Sequence, residues 1–394
     1  MSSKYNLRGV SADKEDVHAA IRNLDKGLFP SAFCKILPDL AGNNPGYCNI
    51  MHADTAGTKT SLAYMYWKET GDLSVWEDIV QDAIVMNTDD MACVGCVDNI
   101  ILSSTIGRNK ALIGKEVLAA LIGATSSFID RMRSLNVGIV LAGGETADVG
   151  DIVRTADVGF TAFARLKRDQ LIVNAIRPGQ VVVGLASYGQ ASYETTYNSG
   201  IGSNGLTMAR HELFGHHYAG KYPETYAPQT DQAYVYSGSG SLTDLITIGE
   251  QSYTLGRLAL SPTRTFLPVL KVILDRFHSG IRGIIHNTGG GHSKVLKYCD
   301  EAVHIVKDQL LPVPPIFNII KDSANTSLHE MYKVFNMGTR LEIYTDEITA
   351  ASVIDISRSF NIDAQIIGRV EEAKAGELAS VMIHIGGMDI TYDA

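Results

Sequence analysis

Cys48-Asn49-Ile50-Met51-His52-Ala53-Asp54-Thr55-Ala56-Gly57-Thr58-Lys59 is a β-rich run that breaks into a loop of small residues carrying one carboxylate and one lysine. Glycine lets such a loop bring its backbone close to an anion, while the flanking side chains can hold a metal or donate to phosphate. From this run onward, short β-rich segments alternate with longer helical patterns at 76–94 and 115–135. The alternation predicts an α/β (α+β) domain, finished by strands at 138–142 and 156–164 and followed by a polar segment at 165–170.

Three more glycine-marked signatures follow: Gly143-Gly144-Glu145-Thr146-Ala147-Asp148, Gly202-Ser203-Asn204-Gly205 and His286-Asn287-Thr288-Gly289-Gly290-Gly291. Each pairs open backbone with a side chain suited to metal, phosphate or proton transfer, which makes phosphate chemistry the leading reading. Asp54, Asp90 and Glu145 are carboxylates at strand or helix ends, and Mg²⁺ needs only one or two such groups beside phosphate oxygens and water. Taken singly, each is equally a helix cap or solvated turn residue. Lys59 follows Gly57 and Thr58 without the spacing of a Walker loop, so its choices are a phosphate contact or an exposed lysine. His286 precedes a turn rich in backbone N–H groups and is a candidate general acid or base, against the alternative of a surface histidine. His292 falls in what reads as the first turn of a helix.

At 394 residues, with 45% apolar and 20% charged, the chain is long enough for two cores. We divide it into an N-terminal arm at 1–50, a first domain at 51–170 and a second at 171–394. The arm carries a short amphipathic stretch at 15–24 and is expected to lie outside the core. The second unit opens with the turn Arg177-Pro178-Gly179 and the strand Val181-Val182-Val183-Gly184-Leu185-Ala186. A Tyr-, Gly- and Ser-rich stretch at 216–241 is expected to be a surface insertion, and Ser261-Pro262-Thr263 to cap a helix running to about 278. The net charge of −9, without a run of basic residues, argues against nucleic acid, and no apolar stretch suggests a signal sequence or a membrane span. The expected compartment is the cytoplasm, where five cysteines would be reduced. Cys93-Val94-Gly95-Cys96 has the spacing of half a zinc site but no second half, which favours core thiols. Cys34 is either a packed thiol or a nucleophile.

Taken together the motifs resemble the family of aminoimidazole ribonucleotide synthetase, also called phosphoribosylformylglycinamidine cyclo-ligase. The family's Asp-Gly-x-Gly-Thr-Lys is similar to Asp54–Lys59 apart from Thr55, its Asn-Asp to Asp89-Asp90, and its Gly-Gly-Glu-Thr-Ala-Glu to Gly143–Asp148. Ser-Asn-Gly matches Ser203–Gly205, Pro-Thr-Arg matches Pro262–Arg264, and His-x-Thr-Gly-Gly-Gly matches His286–Gly291. Glu330-Met331-Tyr332-Lys333-Val334-Phe335-Asn336-Met337-Gly338 carries the most diagnostic signature.

The resemblance implies a two-domain fold that dimerises through strands of its first domain, with ATP near that interface. It implies an ATP- and Mg²⁺-dependent ring closure of formylglycinamidine ribonucleotide in purine biosynthesis. The implied catalytic residues are His286, Asp54 and Lys59, and the metal carboxylates are Asp54, Asp90 and Glu145. ATP would fall to Lys35, Lys59, Asp90, Gly143, Gly144, Glu145 and Thr146, and substrate to Ser203, Asn204, Gly205, Thr288, Gly289, Gly290 and Gly291. Three positions depart from the pattern. Gly202 replaces a histidine, Asp89 replaces the asparagine, and Phe29-Pro30-Ser31-Ala32-Phe33-Cys34-Lys35 stands where a glycine-rich lid is usual, leaving Lys35 as its basic contact. The alternatives are a selenophosphate synthetase-like enzyme of the same superfamily or a non-catalytic ATP-binding regulator.

Overall fold

In the computed structural model, the described residues are 23–394 together with Arg8 and Ala20, so most of the stretch at 15–24 lies outside them. The strands and helices that build the first sheet are β1 (Ile36–Pro38), β2 (Tyr47–Thr55), α1 (Lys59–Thr70), α2 (Ser74–Ala92), β3 (Ile100–Arg108), α3 (Lys115–Ser134), β4 (Ile139–Asp148) and β5 (Ala156–Lys167). They form a five-stranded sheet in the order β1-β2-β5-β3-β4, antiparallel except for the parallel β3–β4 pair. β1 joins by setting Ile36 opposite Ile50. Phe33, Cys34 and Ile36 are buried, which corrects the expectation that the whole N-terminal segment lies outside the core.

Helix α3 shows why an amphipathic pattern makes a surface helix: Val117, Leu121, Thr125, Phe128, Ile129 and Met132 fall on one face and are buried. Helix α2 is buried almost throughout, because the first sheet covers one side and the second domain another.

The second sheet is built from β6 (Val181–Ala186), β9 (Gly283–His286), β10 (Val303–Lys307), β11 (Thr339–Thr345), β12 (Ala364–Glu372), β13 (Ser380–Ile385) and β14 (Met388–Asp393), in the order β14-β13-β10-β12-β6-β11-β9. All six residues of β6 are buried, as a continuous apolar run with strands on both edges requires. A hairpin of β7 (Leu245–Ile248) and β8 (Gln251–Thr254) stands apart. The helices of this half are α4 (Leu206–Leu213), α5 (His217–Lys221), α6 (Leu255–Leu260), α7 (Leu267–Phe277), α8 (Pro315–Ala324), α9 (Leu328–Val334) and α10 (Glu347–Ser359).

Two expectations change here. The stretch at 216–241 is not a mere surface excursion: Val235 and Tyr236 are fully buried, and Tyr236 receives a hydrogen bond from Arg210 at 2.7 Å. Helix α7 starts at Leu267, not near Ser261, because the residues at 261–266 spend their polar groups on the first domain. Thr263 donates its N–H (2.8 Å) and hydroxyl (2.6 Å) to Asp82 of α2, and Phe266 N–H donates to Asp89 at 2.6 Å.

Candidate active site

The ends of β2, α2 and β9 converge with the loop before α4 on a cavity of about 1180 Å³. β2 delivers His52 and Asp54 two residues apart, hence on one face. Helix α2 ends with Asp90, the loop after β9 contributes Thr288, Gly289 and Gly290, and Asn204 lies across from them. The 3₁₀ segment Gly291–Tyr298 follows a left-handed Gly290 (φ 101°) and brings Lys294 and Tyr298 to the wall. Gly291 (φ 50°) has no room for a side chain, since a β-carbon would stand 2.2 Å from the carbonyl oxygen of Tyr332.

Asp90 anchors the electrostatics. Its Oδ1 accepts from His286 Nδ1 at 2.7 Å, and its Oδ2 lies 3.6 Å from His52 Nε2. Burial alone would raise its pKa, but the charge of Lys294 and the hydrogen bond from His286 hold it down at about 2. His286 is itself fully buried, and its Nε2 accepts from Arg340 Nε at 3.0 Å. A carboxylate only accepts and a guanidinium only donates, so the ring between them is neutral with its proton on Nδ1. Burial, aided by Arg340, lowers His286 to about 4 against the opposite pull of Asp90.

His52 differs in being partly open, with 24% of its side chain exposed. Its Nδ1 faces Asn87 Oδ1 at 3.0 Å, and Asn87 uses its amide nitrogen on the carbonyl of Ala83 at 2.9 Å, which fixes the amide orientation. His52 therefore donates at Nδ1 and presents Nε2 toward Asp90 and the cavity. Lys294 donates to the Thr288 hydroxyl and lies 4.5 Å above the ring of Phe33, which stacks on Tyr298 at 4.8 Å. A cation, a hydroxyl and glycine N–H groups thus share one wall, a set suited to phosphate oxygens.

The AIR synthase related protein N-terminal domain matches residues 36–166, and the corresponding C-terminal domain matches residues 239–380. A phosphoribosylformylglycinamidine cyclo-ligase of Methanocaldococcus jannaschii is 30% identical over 335 residues, 83% of this chain and 79% of the relative. The chain belongs to the aminoimidazole ribonucleotide synthetase family. A family member of the same name from Methanococcus maripaludis is 28% identical over 385 residues, 94% of this chain and 92% of the relative. A solved HypE–HypF complex shares the fold, with a TM-score of 0.55 at 14% identity, covering 96% of this chain and 99% of the other. The family's members are named as enzymes, and this chain is classed with them.

Within this family frame the structure separates the expected site residues. Asp54, Asp90, Asn204, Thr288, Gly289 and Gly290 line the cavity, and Ser203, Gly205 and Gly291 flank it in sequence. Ser203 Oγ and Asn204 Oδ1 are buried without a hydrogen-bond partner among the described residues, as unfilled binding groups would be. Lys59 is a correction: its ammonium is fully buried, 2.6 Å from the Ser261 carbonyl and 3.0 Å from Asp82 Oδ1, so it ties the two domains together and does not face the cavity. His286 is a second correction, because both ring nitrogens are committed and the ring backs Asp90 without lining the cavity. Lys35 pairs with Asp25 at 2.9 Å, half exposed, and Phe33 occupies the place near Lys294 instead. Gly143, Gly144, Glu145 and Thr146 lie on the exposed edge strand β4, away from this cavity's lining.

Cys34, the candidate nucleophile, is buried with its thiol donating to the Asp90 carbonyl oxygen, and burial raises its pKa well above the usual thiol range. Sequence reasoning missed His52 and Lys294. The period of two from Asp54 would have exposed the first, and the basic residue three positions after Gly291 the second. The donor set suits a hard cation held jointly with a ligand: Asp90 is ionised, and Asp54 lines the same cavity. No cluster of three or more metal-binding side chains occurs among the described residues, so Glu145 does not complete the pair within one chain.

Proposed function

We propose that the protein closes the imidazole ring of formylglycinamidine ribonucleotide, consuming ATP. The observation that carries the reading is the convergence of Asp54, Asp90, His52, Lys294 and the Thr288–Gly290 turn on one large cavity in a chain of this family. The γ-phosphoryl group of ATP passes to the formyl oxygen as the formamide nitrogen gives up its proton, the amidine nitrogen attacks the formyl carbon, and the carbon–oxygen bond breaks. Phosphate leaves with that oxygen, the attacking nitrogen loses a proton, a proton moves from the ring methylene to the exocyclic nitrogen, and aminoimidazole ribonucleotide and ADP remain.

Asp54 and Asp90 would hold Mg²⁺, which supplies charge neutralisation at the nucleotide phosphates. Lys294 with Thr288 and the glycine N–H groups binds phosphate oxygens. His52 Nε2, open to the cavity and next to ionised Asp90, takes the proton from the amidine, and the carboxylate stabilises the imidazolium that forms. Asn204 and Ser203 offer hydroxyl and amide groups to the ribonucleotide.

The reading includes a homodimer in the cytoplasm. Its support is the open face of the first sheet, where Met51, Ile101 and Val140, neighbours across the strands, are exposed at 62%, 44% and 58%. Among the described residues no helix is long and apolar enough to cross a membrane.

The test is to supply formylglycinamidine ribonucleotide, ATP and Mg²⁺ and follow ADP and aminoimidazole product together. Equal amounts of both are expected. ADP without the imidazole would assign the phosphoryl group to another acceptor and end the proposal.

A further inference from the structure

Gly202, where the resembled family carries histidine, adopts φ +68° against the guanidinium of Arg340. A β-carbon at 202 would stand 2.1 Å from Nη1, 2.8 Å from Cζ and 3.1 Å from Nη2, so a side chain at 202 and Arg340 cannot share this space. Arg340 sits on β11, a strand buried along its whole length, and is itself 1% exposed. Its Nε donates to His286 Nε2 at 3.0 Å, and neither terminal nitrogen has a partner among the described residues. Its charge acts on Asp89, Asp82 and Asp90, and the first of these is the carboxylate that replaces the family's asparagine.

Two departures from the family pattern therefore meet at one cation: a side chain is missing at 202, where Arg340 fills the gap, and an added carboxylate at 89 lies within its field. We propose that Arg340 is a positioning residue that takes over the space vacated at 202 and orients Asp90 through His286. The chain of hydrogen bonds has one direction. Arg340 can only donate and Asp90 can only accept, so His286 must carry its proton on Nδ1 and aim it at Oδ1 of Asp90. Without the donor on Nε2 the buried ring is held by one bond, and the carboxylate facing the cavity loses its fixed anchor. This rests on the proposed reading in so far as Asp90 is the cavity's working carboxylate.

The opposing reading makes Arg340 a counter-charge for buried carboxylates and nothing more. The two readings differ in what Arg340→Met does. A positioning role predicts a loss of kcat on the order of tenfold or more, with KM for the ribonucleotide within about twofold because Arg340 does not line the cavity. It also predicts a change in the ¹⁵N imidazole resonances of His286, assigned by their absence in His286→Gln, from a single Nδ1–H tautomer to an averaged or broadened pair. Arg340→Lys, which can still donate to Nε2, should recover part of both signals.

The competition for space between position 202 and Arg340 can be measured independently of turnover. Gly202→Ala should lower the melting temperature of the wild-type chain, and that loss should fall by roughly half or more in an Arg340→Gly background, where the collision is gone and only the left-handed backbone cost remains. An unchanged His286 spectrum in Arg340→Met, or equal losses from Gly202→Ala in the two backgrounds, overturns the inference. If the protein forms no aminoimidazole product at all, the proposed function fails, while the spectrum and the melting comparison still decide the role of Arg340.

Discussion

Replacing Lys59 by methionine tests whether this lysine is an interdomain tie or a phosphate contact. Its ammonium is fully enclosed, held by both oxygens of Asp82 at 3.0 and 2.8 Å and by the Ser261 carbonyl at 2.6 Å. Methionine keeps most of the stem's packing and removes the charge. Asp82 would keep its two hydrogen bonds from Thr263 but lose the one cation paired with it among the described residues, and the Ser261 carbonyl would lose the Lys59 donor. Breaking one side of a buried pair costs about 3–5 kcal/mol. The unfolding entropy near the midpoint is about 2.1 cal/mol/K per residue, and over 394 residues that makes the expected fall in Tm about 4–6 °C. Asp82→Asn in the same chain removes the stranded charge while still accepting from Thr263, and should recover at least about half of the loss. Differential scanning calorimetry reads all three proteins, with calorimetric titration of an ATP analogue alongside. A Lys59→Met protein that melts within about 1 °C of wild type and no longer binds nucleotide would refute the reasoning and return Lys59 to the phosphate site.

Further outcomes follow from the same geometry. Asp90→Asn should lose about a hundredfold or more in turnover while its urea midpoint stays near that of wild type; a protein with full turnover would remove Asp90 from the chemistry. His52→Gln should lower kcat by roughly a hundredfold with little change in ATP-analogue binding, whereas a loss confined to binding would assign His52 to nucleotide contact. Between pH 5 and 6 the unfolded chain protonates His211, His286 and His292, which burial lowers to about 2, 4 and 4 in the fold, while the folded protein holds protons on Asp78 and Asp89, raised by burial to about 6 and 7. The unfolded state therefore binds about one more proton, so stability should rise with pH by about 1.4 kcal/mol per unit. Urea titrations across the window check this, and a flat or falling profile would contradict it. Ile101→Glu, placing a charge on the open face of the first sheet, should convert a dimer to a monomer in sedimentation velocity, and an unchanged dimer would move the interface elsewhere.

The sequence is readable where a segment's neighbours are its own pattern. Residues 181–186 announce a central strand because every one is apolar or glycine, and every one is buried. Residues 115–134 announce a helix because one face is apolar. Residues 261–266 mislead, because Ser-Pro-Thr is also a good helix start. Its hydroxyls and N–H groups are used by Asp82 and Asp89 on a helix far away in sequence, and no local rule contains that information. The stretch at 216–241 misleads in the opposite sense. Its tyrosines and glycines look like surface, yet Tyr236 stacks near His211 and closes hydrogen bonds with Arg210 and Thr225. In the site, the Thr288–Gly290 turn was legible from glycine density. Lys59, buried between domains, was not; for His52 the period of two from Asp54 gives the face but not the role, which depends on Asn87 and Asp90.

Asp89 and Asp90 show most clearly why adjacency in sequence does not settle chemistry. They are neighbours on α2, but successive residues of a helix point about 100° apart. Asp89 lies seven residues after Asp82, two turns along the same stripe, and both face the 261–266 segment of the second domain. There Asp89 is enclosed, receiving the Thr265 hydroxyl at 2.8 Å, the Phe266 N–H at 2.6 Å and the Thr88 hydroxyl at 3.5 Å, and burial raises it to about 7. Asp90, turned toward the cavity, meets His286 and the charge of Lys294 and stays ionised, at about 2. One helix end thus supplies a domain tie and a ligand group from consecutive carboxylates. The tie fixes the angle at which the second domain presents β9, and β9 carries His286 to Asp90. Loosening the Asp89 contacts should therefore disturb the site through His286 without touching any cavity-lining residue. Thr265→Val, which keeps the shape and removes one donor to Asp89, should broaden the His286 imidazole resonances while leaving those of the partly exposed His304 and His384 unmoved. If His286 stays sharp in that variant, the domain tie and the site are mechanically independent, and Asp89 serves stability alone.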